Sequence, residues 1–332
     1  MHVAIVGKGI AGLALGDQLV RRGVRVSFFY QSEFTASQAA IGVFSSKGLF
    51  LANDSFFAQK LAAQHDFGAW AQELQHNSEI KIPSQQGVQE FFDSPEAYRA
   101  LRSRIYRNQF TGAFDVEVRH WRGGNFFYYP QDYWIDAQTF LTVLEKSLQK
   151  KGASFLAEAV DSVTANTVVT GAKTYSFSHV VLAAGVGTSA LLRQSGLLSL
   201  PAQQRPGWTL RYRLDGAGEN PSFLLKKGRT SLVAHDGFLS VGPFDRDPQP
   251  EEESALLAEA KMRCSALSSF SLVQRTCAHG IRVRTPHGAP YLGALAIKGG
   301  ERVFVSFGYD KSGFLLARSS AQQLADVICA YR

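Results

Sequence analysis

Cysteine is scarce in this chain of 332 residues: Cys264, Cys277 and Cys329 are the only three. None stands in a CxxC pair, so the spacing excludes a thiolate zinc site and a dithiol redox motif, and no metal site is expected. Scattered thiols also make no disulfide framework and suit a reducing compartment, which sets the expectation of a cytoplasmic protein. No apolar run reaches the roughly 18 residues that a membrane helix needs, so no membrane span is expected. Met1 leads straight into an apolar strand pattern, without the charged-then-apolar opening of a secretory leader. No repeat and no low-complexity linker interrupts the chain. Negative charge is in deficit, with 28 Asp and Glu against 35 Lys and Arg and a formal net charge of +7. That balance favours anionic partners: a nucleotide cofactor, an acidic substrate or RNA. A composition 45% hydrophobic and 19% charged is that of an ordinary globular chain, long enough for two domains or a discontinuous domain pair.

What is present begins at once. Val3-Ala4-Ile5-Val6 reads as a buried strand, and Gly7-Lys8-Gly9-Ile10-Ala11-Gly12 follows it. A helical stretch from Leu13 to Arg22 comes next, Gly23 ends it, and Val24–Tyr30 reads as a second strand. Strand, glycine turn, helix, strand is the order that binds a dinucleotide. Gly7 permits the tight turn, Gly9 lets backbone approach the pyrophosphate, and Gly12 lets the helix pack on the strand. The helix start then offers N–H groups and partial positive charge to the phosphates, through Ile10 and Ala11. The acidic residue that usually closes the second strand and holds a ribose hydroxyl is missing. Tyr30 and Gln31 stand there, with Glu33 just beyond. Gln31 is a candidate acceptor for the ribose, and Tyr30 a candidate surface for the adenosine.

Further along, Ala36-Ser37-Gln38-Ala39-Ala40-Ile41-Gly42-Val43 is a run of small residues. It reads either as backbone lying close to a flat cofactor or as a small-residue helix under a sheet. Residues 50–125 look helical and then irregular, rich in arginine and aromatics. Asp136 is a candidate N-cap for a helix that ends at Gly152. Strand patterns cover Ser154–Val160, a hairpin turns at Gly171-Ala172, and His179–Gly187 is a buried strand ending in small residues. Strands and turns alternate from Pro201 to Pro248, a helix spans Glu251–Cys264, a strand Val303–Gly308, and an amphipathic helix Ser319–Ala330.

Five stretches together resemble the D-amino-acid oxidase superfamily of FAD-dependent amine oxidoreductases, the group of glycine oxidase and sarcosine oxidase. They are the Gly7/Gly9/Gly12 turn, Ala36–Gly42, Val181-Leu182-Ala183-Ala184-Gly185, Gly280–Pro290 and Gly308–Ala317, in an order that runs the whole chain. The resemblance implies an α/β fold: a Rossmann-like FAD-binding domain from residues 1–45, 136–200 and 280–332, and an α+β substrate domain on a mixed sheet from 46–135 and 201–279. It implies FAD as the dinucleotide, held by Gly7, Gly9, Ile10, Ala11, Gly12, Tyr30, Gln31, Ser37, Gln38, Ala39, Val160, Ala184, Gly185, Gly308, Lys311, Ser312, Gly313 and Phe314. Sarcosine oxidases attach flavin through a cysteine where this chain has Gly280, so the FAD is expected to be non-covalent. Cys277, three residues earlier, is expected to be a buried apolar thiol.

In the family's G-L-R-P segment an arginine grips the substrate carboxylate, and Arg282 is the matching residue. A guanidinium suits that task because it offers parallel N–H donors. Arg284 would share its strand face, so either is a candidate ligand. Lys311 and Tyr309 lie in the turn that faces the flavin in the family and are candidate catalytic residues with Arg282. Tyr309-Asp310 departs from the family's usual turn, and His287 stands where Asp is common.

The reaction implied is oxidation of a C–N bond of a small amine or amino acid. Hydride passes from carbon to flavin N5, and the imine hydrolyses. Two alternatives stay open. One is the oxidase of tRNA wobble-uridine modification, which shares the fold. Arg99, Arg102, Arg104, Arg107, Arg119 and Arg122, interleaved with Tyr98, Tyr106, Phe110 and Trp121, read either as an RNA-binding surface or as a solvated basic face. The other is a flavin-binding protein without catalysis. The substrate side chain, the electron acceptor and the oligomeric state have no signature in the sequence.

Overall fold

The computed structural model describes residues 1–31, 35–44, 57–92, 94–107, 117–121, 124–171, 173–296 and 301–331. Glu33 therefore lies outside the described residues, as do Phe110 and Arg122. Strand His2–Val6 (β1), helix Ile10–Arg21 (α1) and strand Arg25–Phe29 (β2) form the expected opening unit. β1 and β2 are parallel, with Val6 opposite Phe29. On the other side β1 pairs in parallel with His179–Leu182, which pairs in parallel with Arg302–Phe307. The six-stranded sheet runs Tyr291–Ala296, Arg302–Phe307, His179–Leu182, β1, β2, Ser154–Leu156.

Strand alternation sends β1 side chains to two different cores. Val3 and Ile5 face α1, Ala137–Lys150, Phe57–Ser78 and the C-terminal helix Gly313–Ala330. Ala4 and Val6 face Val163 and Val168 of a three-stranded antiparallel sheet. Both faces of β1 are covered, which is why its sequence is an unbroken apolar run. Asp136 caps its helix as expected, accepting from Thr139 N–H at 2.8 Å.

The second unit is a nine-stranded mixed sheet. Its path runs Phe270–Arg284, Gln203–Gly216, Phe238–Phe244, Thr230–His235, Phe223–Lys227, Ser84–Phe91, Gly124–Ile135 and Val43–Phe44, with Glu117–Trp121 on the flank of Gly124–Ile135. Only the join between Phe223–Lys227 and Ser84–Phe91 is parallel. Strand Phe270–Arg284 runs unbroken through residue 280, and Val43–Phe44 belongs to this sheet.

Three local expectations are corrected. The strand from Ser154 stops at Leu156 rather than Val160. The last helix begins at Gly313, six residues before the expected Ser319. The strand from His179 stops at Leu182 rather than Gly187. Of the two readings of Ala36–Ala39, the helix does not form: the run is a turn.

Candidate functional site

The site starts where β1 ends. Gly7 sits at φ +114°, and a Cβ there would lie 2.3 Å from the Ala183 carbonyl oxygen. A Cβ at Gly12 would lie 2.1 Å from the Gly7 carbonyl oxygen, so its absence lets α1 seat against the turn. Gly9 is different. Its backbone is extended, and a Cβ would meet only Ser37 Oγ, at 3.2 Å. The protein thus leaves the Gly9 side open. The N-cap, Gly9, has no side chain to cap α1, and no acid stands in its first turn. Ile10 N–H donates to Ser37 Oγ at 3.0 Å, and Leu13 N–H closes the first helical bond to Gly9 at 3.0 Å. Ala11 and Gly12, between them, hold the donors that a helix start leaves for an anion. These residues fit a pyrophosphate.

A second helix begins alongside. The C-terminal helix starts at Gly313 after Ser312, again without a side-chain cap. A Cβ on Gly313 would be 3.6 Å from Ile10 Cγ2. Two helix N-termini therefore lie side by side, and their partial positive charges add. Gly308 enters this turn at φ +90°, its missing Cβ leaving room for Thr285 Cγ2 at 2.5 Å. The Tyr309 hydroxyl hydrogen-bonds Ser306 Oγ at 2.8 Å, and burial pushes its pKa up. It stays a neutral phenol committed to that bond. The Phe314 ring packs among Phe44, Phe67 and Phe140 in the core, so only its backbone is left to face a cofactor.

At the other end of the turn, Tyr30 carries the Lys8 ammonium 4.0 Å above its ring, and Lys8 also pairs with Glu145 at 3.4 Å. One face of the ring intended for adenosine is thus already covered, while Gln31 is exposed. Val160 and Ala184 pack on the cluster that contains Val6 and Phe29, which brings them beside the glycine turn. Gly185 adopts φ +55° with open space where its Cβ would be.

The turn Ala36–Ala39 joins the two units. Gln38 Oε1 accepts from Thr35 N–H at 2.9 Å, and Ala39 carbonyl accepts from Thr209 Oγ1 at 2.7 Å. A Cβ on Gly280 would lie 2.6 Å from Ala36 Cα. Position 280 carries no thiol and has no space for one. Cys277 is exposed, not buried as expected. Alternation puts it on the opposite face of its strand from Gly280.

Arg282 shares the Gly280 face and lies over Gly207, where a Cβ would come within 3.2 Å of Nε and 3.3 Å of Nη2. Its side chain is 13% exposed. Nη2 donates to the Pro206 carbonyl at 3.2 Å and to Asp245 Oδ1 at 3.2 Å. Nε and Nη1 are buried and have no partner among the described residues. Lys311 stands near: desolvation lowers its pKa, and the Arg282 charge lowers it further, while Asp245 and Asp310 oppose the shift. Arg284 is exposed, and its backbone bridges to Tyr309. Arg282 is thus the enclosed cation of this site, and Lys311 and Arg284 are both exposed, Lys311 within reach of the Arg282 charge. Asp245 and Gly207 join this site without having been singled out in the sequence. Gly207 had no sequence signal of its own; it pairs with Gly280 only once the two strands are in register.

Two arginines of the arginine-rich middle pair locally. Arg99 pairs with Glu96 at 2.5 Å. Arg119 pairs with Glu117 at 2.8 Å and lies 3.7 Å above Tyr128. Tyr98 is buried and stacks on Phe127. The side chains of Arg104, Tyr106, Arg107 and Trp121 lie outside the described residues. Among the described residues no His, Cys, Asp and Glu group is arranged to hold a metal, and no helix is long and apolar enough to cross a membrane.

Known proteins share this fold. Glycine oxidase of Bacillus licheniformis is 25% identical, over 98% of this chain and 92% of its own length. The solved glycine oxidase of Geobacillus kaustophilus superposes with a TM-score of 0.82 at 23% identity, covering 99% of this chain and 94% of that one. An iminodiacetate oxidase from Chelativorans sp. BNC1 gives a TM-score of 0.81 at 17% identity, covering 99% and 95%. The family model described as "DAO: FAD dependent oxidoreductase" matches residues 2–327. With the glycine cradle, the paired helix starts and the enclosed arginine on one chain, the protein belongs to the DAO family of FAD-dependent oxidoreductases.

Proposed function

We propose that the protein oxidises the C–N bond of a small amino acid or N-substituted amino acid whose carboxylate sits on Arg282. The observation that carries this reading is an enclosed guanidinium with buried, unused N–H donors next to a second cation, Lys311. When bound, FAD supplies the two-electron oxidation. The chain's own residues bind and orient. The glycine turn and α1 would hold the pyrophosphate, the C-terminal turn would line the flavin, and Arg282 would fix the carboxylate, so that the carbon next to the nitrogen is positioned. No acid–base side chain is required if the amine arrives neutral, which agrees with Tyr309 being tied to Ser306. Relatives named for glycine and iminodiacetate support a small carboxylate-bearing amine. The local pairing of Arg99 and Arg119 supports a small molecule over tRNA. The glycine at position 280, packed on Ala36, supports non-covalent FAD.

Anaerobic mixing of the yellow protein with glycine, sarcosine, iminodiacetate and unsubstituted alkylamines tests this directly. At least one carboxylate-bearing amine should bleach the flavin band, and amines lacking the carboxylate should not. Bleaching by alkylamines alone, or by none of the set, would count against it.

Gly207 gives a subtler expectation. A Gly207→Ala side chain meets Arg282 at Nε and Nη2, tilting the guanidinium without removing it. Acetate titrated against the flavin band should bind about tenfold more weakly, since small misplacements of an orienting group are costly. FAD content should stay normal. Unchanged acetate affinity would show that Arg282 needs no flat seat.

A further inference from the structure

Arg282 is enclosed and fixed, while the carboxylate paired with it is not. Asp245 follows the strand Phe238–Phe244 and is 62% exposed. It reaches Arg282 Nη2 with Oδ1 at 3.2 Å, and Arg229 Nη1 with Oδ2 at 3.4 Å. Arg229 is itself 78% exposed. Asp245 thus gives Arg282 a single hydrogen bond, whereas a well-seated carboxylate gives a guanidinium two. Such a rim contact, half in water and shared with a second arginine, is a weak pair. Nε and Nη1 of the enclosed guanidinium, meanwhile, have no partner among the described residues.

We propose that Asp245 is the specificity-determining residue of this site: an internal carboxylate that an incoming carboxylate displaces from Arg282 and that repels a second one. The proposal rests on the reading of Arg282 as a carboxylate site. The charge balance supports it. Asp245 pairs with Arg229 and Arg282, and Lys311 feels the charges of all three and of Asp310, so these three cations and two carboxylates leave one net positive charge. A monocarboxylate neutralises it. A dicarboxylate brings a second charge to the rim where Asp245 stands, held outward by Arg229. Asp245 therefore lowers the affinity for every anion and lowers it most for dianions, narrowing the ligand set to single carboxylates.

The test uses the FAD-loaded protein, with acetate and malonate as probes, read by calorimetry and by perturbation of the flavin band. Asp245→Asn should bind acetate about fivefold and malonate about thirtyfold more tightly than the wild type, because removing one repelling charge counts twice for a dianion. Asp245→Ser should do the same, and Asp245→Glu should restore the wild-type preference for acetate. A lower melting temperature with unchanged anion affinities would assign Asp245 a merely structural pairing and overturn the proposal. The underlying reading is checked separately with Arg282→Ala. If that variant loses acetate binding while Asp245→Asn leaves the acetate-to-malonate ratio as it was, Arg282 keeps its role and only the Asp245 proposal fails. If acetate binds wild type and Arg282→Ala equally, both fail.

Discussion

Purified Gly9→Val protein should be folded and colourless. The expectation follows from a contrast within one turn. Side chains at Gly7 and Gly12 would strike backbone, at 2.3 Å and 2.1 Å, so substitutions there damage the apoprotein. A side chain at Gly9 meets only Ser37 Oγ, at 3.2 Å, and its extended backbone accepts any residue. The valine methyls would instead occupy the space that the open side of the turn leaves for the pyrophosphate. A loss of FAD affinity of at least about a hundredfold, near 3 kcal/mol, is expected. Fluorescence titration of apoprotein with FAD measures it, and circular dichroism confirms the fold. A Gly9→Val protein that purifies yellow would place the cofactor elsewhere. Gly12→Ala should behave differently, with loss of soluble protein as well as colour.

The second large effect belongs to Arg282→Ala. Removing the guanidinium strips the site of its enclosed donors and leaves Asp245 paired with the exposed Arg229. Apparent affinity for the oxidised amino acid should fall by about 2–4 kcal/mol, the usual cost of deleting a desolvated charge partner. FAD content should not change, because the Arg282 contacts among the described residues run to Pro206, Gly207 and Asp245, away from the glycine turn. Lysine at the same place should recover only part of the loss, since an ammonium lacks the planar fork. Kinetics like wild type would move the role to Arg284 or Lys311.

Much of the fold was legible because it is local. The glycine turn needs six consecutive residues, and two of its glycines, Gly7 and Gly12, each answer a specific backbone contact. The Asp136 cap and the hairpin at Gly171 are likewise written in a few neighbouring positions. The C-terminal helix was misjudged at its start because Ser312 and Gly313 read as turn residues. In the structure Ser312 is the N-cap and Gly313 the first helical residue, pressed against Ile10. Phe314 read as a flavin neighbour on resemblance, yet its ring completes an aromatic core drawn from three distant segments. The site around Arg282 was half legible. Arg282 stood in a recognisable segment. Asp245, an acid on an exposed loop with nothing local to mark it, meets Arg282 only because Gln203–Gly216 pairs with both Phe238–Phe244 and Phe270–Arg284. Neither its 37-residue separation from Arg282 nor its polarity distinguishes it from any solvated carboxylate.

The stitch between the two units bears on how this chain can be taken apart or recombined. Thr209 and Gly280 hold the Ala36–Ala39 turn from one side while Ser37 of that turn holds Ile10 from the other. A graft of the large sheet onto another nucleotide-binding scaffold would therefore have to carry this turn along. The turn belongs by sequence to the first unit and by contact to both. The workable cut points for chimeras lie on either side of it, not at the apparent border between the sheets.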